Sequence, residues 1–221
     1  MSGRSRAGRV FSAVGFMVIG AVATLLLSGL GSSPGAARVS PAGAVDIGFS
    51  QDMVVHHQQA VTMAQTVRGR VGPSVSQVAG TIELGQLKEI GLLQGWLALW
   101  DAPQVSSGPP MAWMAPGSHD HASTSADADH VMPGMASLDE LDRLGEAEGE
   151  DLEVWFLQLM IRHHQGGVAM ATAAARRATV PQVRDLAVLM ATEQRKETAL
   201  MTGLLDALGH RPLPLPATGP V

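Results

Sequence analysis

The sequence predicts an all-α fold, a four-helix bundle made of two duplicated helical hairpins behind an N-terminal hydrophobic helix, and three observations predict it. Residues 49–64 (FSQDMVVHHQQAVTMA) and 156–171 (FLQLMIRHHQGGVAMA) share Phe, Gln, Met, His, His, Gln, Val, Met and Ala at matching places, the mark of an internal duplication. The similarity resumes downstream, where QLKEIGLLQGWL (Gln86 to Leu97) aligns with QRKETALMTGLL (Gln194 to Leu205). Apolar and small residues also recur at helical spacing: Asp46, Phe49, Met53, His56, Ala60 and Met63 in the first copy, and Glu153, Phe156, Met160, His163, Gly167 and Met170 in the second. Steps of three and four residues place each set on one interior seam of a helix.

Taken in chain order, residues 1–36 form a targeting segment. Arg4, Arg6 and Arg9 precede an apolar stretch from Val10 to Leu30, which suits either a secretory signal peptide or a signal-anchor transmembrane helix. The arginines belong on the cytoplasmic side, so the rest of the chain is expected to be extracytoplasmic, secreted or held at the cell membrane by this segment. Residues 45–101 make the first hairpin, divided at Gly72-Pro73. Residues 102–149 form a linker containing Met111, Met114, His119, His121, His130, Met132 and Met135, and Ser137 to Glu140 reads as a capping box opening a short helix. Residues 150–208 make the second hairpin, broken before Pro181, which can open a helix. Residues 209–221 are a Pro-rich tail. In the second helices, Leu84, Leu87, Ile90, Leu92, Leu93, Trp96, Leu97 and Trp100, and then Leu186, Leu189, Met190, Leu200, Met201, Leu204 and Leu205, are the candidate apolar faces.

Composition removes several classes of function. With no cysteine, disulfide frameworks, thiolate zinc sites, iron–sulfur clusters and cysteine nucleophiles are excluded. The net charge of -5, with basic residues clustered only at the extreme N-terminus, leaves no nucleic-acid footprint. What the chain keeps is 12 Met and 8 His, soft and borderline metal donors without the thiol.

The candidate ligands are Met53, His56, His57, Met63, Met160, His163, His164 and Met170. His56 and His163 lie on the seam, and His57 and His164 lie about 100° further round, four residues after Met53 and Met160. One helical turn therefore presents Met, His and His together. Met on a seam is ordinarily core filler, and one interior His is ordinarily a hydrogen-bonded core residue. Two adjacent His repeated behind a matching Met ask for more, because burying four imidazoles is costly without partners, and few polar partners are evident on those faces. Thioether and imidazole together suit Cu(I) and Ag(I) and suit Mg²⁺, Ca²⁺ or Mn²⁺ poorly. The Glu-x-x-His motifs of a di-iron bundle and the His-Glu-x-x-His of zinc hydrolases are missing, and beyond the targeting segment there is no Gly-x-Ser-x-Gly elbow.

The twice-found Phe-x3-Met-x2-His-His-x5-Met-Ala, the Met132-Pro-Gly-Met135 of the linker and the Gln-x-x-Glu of each second helix resemble the domain of unknown function 305 family, over about Val45 to Leu208. That resemblance implies an exported protein with a ferritin-like four-helix bundle, similar to the CopM-type copper-binding proteins. It also implies copper or silver binding through the eight Met and His residues above. In that pattern a Met follows the second-helix Glu by four residues; Met201 keeps it after Glu197, whereas Leu93 stands after Glu89.

The expectation is thus a non-enzymatic, extracytoplasmic protein that sequesters or buffers copper as Cu(I), with silver as an alternative ion. Its partners are the metal ion and, if the N-terminal segment is retained, the membrane; no protein partner is indicated. The alternative is an envelope-anchored structural or interaction bundle whose His pairs are only polar core residues. A copper-dependent redox enzyme is a third class, for which no substrate pocket is marked.

Overall fold

The computed structural model describes residues 41–114 and 132–214. The expected N-terminal hydrophobic helix, the linker histidines His119, His121 and His130, and the end of the tail lie outside the described residues. Among the described residues the protein is all-helical: α1 (Ala44–Thr66), α2 (Pro73–Leu99), a 3-10 turn (Ala112–Met114), α3 (Leu138–Glu146), α4 (Gly149–Arg177) and α5 (Pro181–Ala207). The hairpins α1–α2 and α4–α5 pack as a four-helix bundle, with α1 against α4 at its centre, while α2 and α5 touch sparingly. No helix among the described residues is long and apolar enough to cross a membrane.

Local chemistry sets the boundaries. Pro73 and Pro181 open α2 and α5 at the first helical position, where the missing N–H costs nothing. The predicted capping box of α3 is formed: Ser137 Oγ accepts from Glu140 N at 3.2 Å, and Glu140 Oε2 accepts from Ser137 N at 2.9 Å. In the turn after α1, Gly69 adopts a φ of 72°, a left-handed conformation glycine takes without strain.

The duplication also ties the hairpins together. Asp46 accepts from the amides of Gly43 (2.8 Å), Thr179 (3.1 Å) and Val180 (2.9 Å) and from the Thr179 hydroxyl (2.5 Å), so the start of α1 caps the start of α5. Burial works to raise the Asp46 pKa, but the hydrogen bonds from Thr179, Val180 and Gly43 together outweigh it and hold the carboxyl below its ordinary value. At the equivalent place in the second copy, Glu153 Oε1 accepts from Gly72 N at 2.5 Å, and so α4 caps α2. These acids occupy seam positions because each satisfies the free amide of a helix start in the opposite hairpin.

The seam of α1 and α4 is the core. Phe49, Met53, Met63, Phe156, Met160 and Met170 are all fully buried, and each contributes roughly 1.5–3 kcal/mol of hydrophobic stabilisation. The α1–α4 crossing pairs methionines from opposite copies: Met53 and Met170 share one apolar cluster with Met132 and Met190, and Met63 and Met160 share the other with Met201. The second helices differ from the expectation. Ile90, Leu93, Leu97, Leu186, Met190, Met201 and Leu205 are buried, but Leu84, Leu87, Leu92, Leu189 and Leu200 are exposed. α2 and α5 each lean on one neighbour, so a narrow stripe suffices, and it includes Ile82, Gln86 and Gln194 in place of those leucines.

Candidate metal centre

The two His pairs meet at the middle of the α1–α4 interface. The rings of His56 and His163 stack with centroids 3.8 Å apart and planes tilted by 34°. His57 and His164 flank them, each with its centroid within 6.4 Å of its neighbour's ring, and all four side chains are fully buried. The structure therefore brings the four predicted imidazoles into one core, with Met53, Met63, Met160 and Met170 in the apolar clusters on either side.

Every imidazole uses the same nitrogen for its protein contact. His56 Nε2 donates to the Pro133 carbonyl (3.1 Å) and His163 Nε2 to the His56 carbonyl (3.0 Å). His57 Nε2 donates to Glu89 Oε2 (2.7 Å) and His164 Nε2 to Glu197 Oε2 (2.9 Å). A carbonyl can only accept, so Nε2 of His56 and His163 carries the proton. Burial drives the His56 pKa down to about 3, repulsion from His57 and His164 adds to this, and the Pro133 hydrogen bond opposes it. Burial likewise holds His163 well below its ordinary value, helped by His56, His164 and His57. Both rings are therefore neutral at pH 7, with the lone pair on Nδ1.

None of the four Nδ1 atoms has a hydrogen-bond partner, although all are buried. An orphaned buried polar atom costs about 1–3 kcal/mol, and here the cost recurs at each of the paired histidines. Ring Nε2–H fixed on a carbonyl or carboxylate, with the other nitrogen left bare, is how a protein orients imidazole toward a metal. Among the described residues no three His, Asp or Glu side chains converge as a ready nitrogen and oxygen site. A metal bound here would draw on thioethers to complete its ligands, which favours a soft ion.

The partners of the histidines are what sequence reasoning missed. Glu89 and Glu197 sit on α2 and α5, and the recurring Gln-x-x-Glu was their only signal. The Pro133 carbonyl belongs to the turn Met132–Ala136, a part of the expected linker that is instead packed on the bundle. Gln59 grips that turn with two hydrogen bonds to Ala136, from its backbone N (2.7 Å) and to its O (2.9 Å). Gly166 admits it, since a Cβ there would lie 1.9 Å from Pro133 O. Gly167 instead makes room for the Gln194 amide, 2.3 Å from where its Cβ would be. The preceding strap is also docked: Trp113 is buried edge-on to Phe49 and donates to Asp52 Oδ2 at 2.8 Å.

Fold and site define a class: a bundle of two duplicated hairpins whose core holds paired histidines among methionines. The chain belongs to the family described as Domain of unknown function (DUF305), whose model matches residues 46–205. Among solved structures it is similar to a DUF305 protein from Streptomyces coelicolor described as a candidate secreted protein, with 41% identity, a TM-score of 0.68, and coverage of 77% of this chain and 97% of that one. A DUF305 fragment from Deinococcus radiodurans is 32% identical with a TM-score of 0.60, covering 76% of this chain and 99% of that one. CopM in its Cu(I)-bound form is 23% identical with a TM-score of 0.55, covering 73% of this chain and 96% of that one, and at that identity it shows a shared fold. Structures of CopM bound to Cu(II) and to silver match as well. No curated protein matches the chain.

Proposed function

We propose that this protein is a non-enzymatic, extracytoplasmic carrier of Cu(I), able to take Ag(I) in its place, that sequesters the ion through Met53, His56, His57, Met63, Met160, His163, His164 and Met170. The observation that carries the reading is the set of four buried, unpartnered Nδ1 atoms on rings whose Nε2 is already held. The metal-bound forms in which CopM was crystallised support the choice of ion, and the S. coelicolor relative supports the location outside the cytoplasm. Copper is cargo here, so the residues have only to desolvate, orient and hold it. An anaerobic Cu(I) competition titration tests this. Tight binding by the wild type, abolished when His56, His57, His163 and His164 are all replaced by Ala, is the expected result; unchanged affinity in that variant would sink the assignment.

A second reading has one observation in its favour. The stacked His56 and His163 rings bridge α1, α4 and the Met132–Ala136 turn through main-chain acceptors, as a structural polar pair would. Metal-free wild-type protein from its native envelope, with stability and helicity retained in the fourfold variant, would favour that structural bundle.

A further inference from the structure

We infer that the cleft between α2 and α5 is the entrance through which the ion reaches the buried histidines, an inference that rests on the metal-binding reading above. The four imidazoles and the flanking methionines Met53, Met63, Met160 and Met170 are fully buried, so an ion must cross the wall of the bundle. The α1–α4 side is covered by the Met132–Ala136 turn, which hydrogen-bonds to His56 and Gln59 and rests on Gly166, and by the docked Trp113. Within each hairpin the helices pack closely, and of the neighbouring pairs among the four bundle helices α2 and α5 touch most sparingly.

That seam holds two cavities that share Thr81, Ile82 and Glu197, one of about 330 Å³ nearer the start of α2 and one of about 200 Å³ further along that helix. The second is lined by Gln86, Glu89, Met190, Glu193, Gln194 and Glu197. Two of these, Glu89 and Glu197, are the carboxylates that hold His57 and His164, so the cleft ends one hydrogen bond short of two of the candidate ligands. Glu193 is paired outward with Lys196 at 2.8 Å.

An independent observation points into the same cavity. Gln86 and Gln194 are only 4% and 3% exposed, yet Gln86 Oε1 and both amide atoms of Gln194 have no hydrogen-bond partner. Buried amides are kept unpartnered at equivalent places in both copies only at a cost, and a polar species passing between them would satisfy both. Carboxylate and amide oxygens draw a cation in and, as hard donors, hold a soft ion weakly. Imidazole and thioether lie one step deeper and bind it better. The order of donors from cleft to core thus runs downhill for Cu(I).

A plug tests the route. Gly85 lines the cleft, and a Cβ added there meets nothing within 4 Å, as is also true of Gly91, six residues along the same helix. Cu(I) supplied anaerobically in acetonitrile would be mixed with the full chain in a stopped-flow instrument and followed by its ultraviolet charge-transfer absorbance. Gly85→Trp is expected to slow loading by about tenfold or more, with Gly85→Leu intermediate and Gly91→Trp unchanged. Release into excess chelator should slow by the same factor, leaving affinity and stoichiometry at wild-type values. Loading of Gly85→Trp at the wild-type rate would overturn the route while leaving metal binding intact, and a wild type that takes up no Cu(I) would overturn both.

Discussion

Acidifying the metal-free protein should weaken it through His56, and the size of the effect follows from the structure. Burial holds His56 neutral with a pKa of about 3, against an ordinary 6.5 once the chain unfolds. Below pH 6.5 the unfolded chain takes up a proton that the folded one refuses, so stability is complete above that value and declines as pH falls toward 3. At 1.36 kcal/mol per unit, His56 alone removes about 2 kcal/mol between pH 7 and 5, and His163, also depressed by burial, adds a loss of the same sign. Asp52 runs the other way: burial raises its pKa against the hydrogen bonds from Met111 and Trp113, so its burial penalty eases in acid. Urea unfolding at pH 7, 6 and 5 of wild type and His56→Gln isolates the His56 contribution, because that part, with whatever share of the His163 depression His56 causes, disappears in the variant. The variant should lose about 2 kcal/mol less than wild type over that range. Identical pH slopes for the two proteins would refute a buried neutral His56.

Three further outcomes follow from the same geometry. Gly166→Ala, which in an open helix would gain up to about 1 kcal/mol, should destabilise by about 1–2 kcal/mol on thermal melting, because its Cβ displaces the Pro133 carbonyl and strains the His56 and Gln59 contacts. Glu89→Gln and Glu197→Gln should each weaken Cu(I) binding by about tenfold or more in competition titrations, since each carboxylate orients one imidazole. Met53→Leu combined with Met160→Leu keeps core volume and should cost less than about 1.5 kcal/mol per site, yet Cu(I) affinity should fall measurably because a thioether donor is lost at each.

The bundle was legible because the sequence states it twice. Phe49, Met53, His56 and Met63 repeat as Phe156, Met160, His163 and Met170, and a recurring seam leaves few ways to bury itself. The capping box of Ser137 and Glu140 was legible for a local reason, since its hydrogen bonds span three residues. The second helices were read less well: their leucines are numerous, and which of them face inward depends on how far α2 stands from α5. The environment of the histidines was the least accessible. Glu89 lies 32 residues from His57, and Pro133 lies 77 from His56, and no periodicity connects positions that only the packed bundle brings together. The pairing of Met53 with Met170 rather than with a methionine of its own helix likewise follows from the antiparallel crossing.

In the proposed function Nδ1, not Nε2, of the paired histidines receives the metal. Nitrogen-15 NMR of the imidazoles, recorded before and after addition of isotopically enriched silver(I), tests it atom by atom. Nδ1 of His56, His57, His163 and His164 is expected to shift and couple to silver while each Nε2 keeps its proton. Nδ1 resonances that do not move, or silver coupling at Nε2, would contradict it.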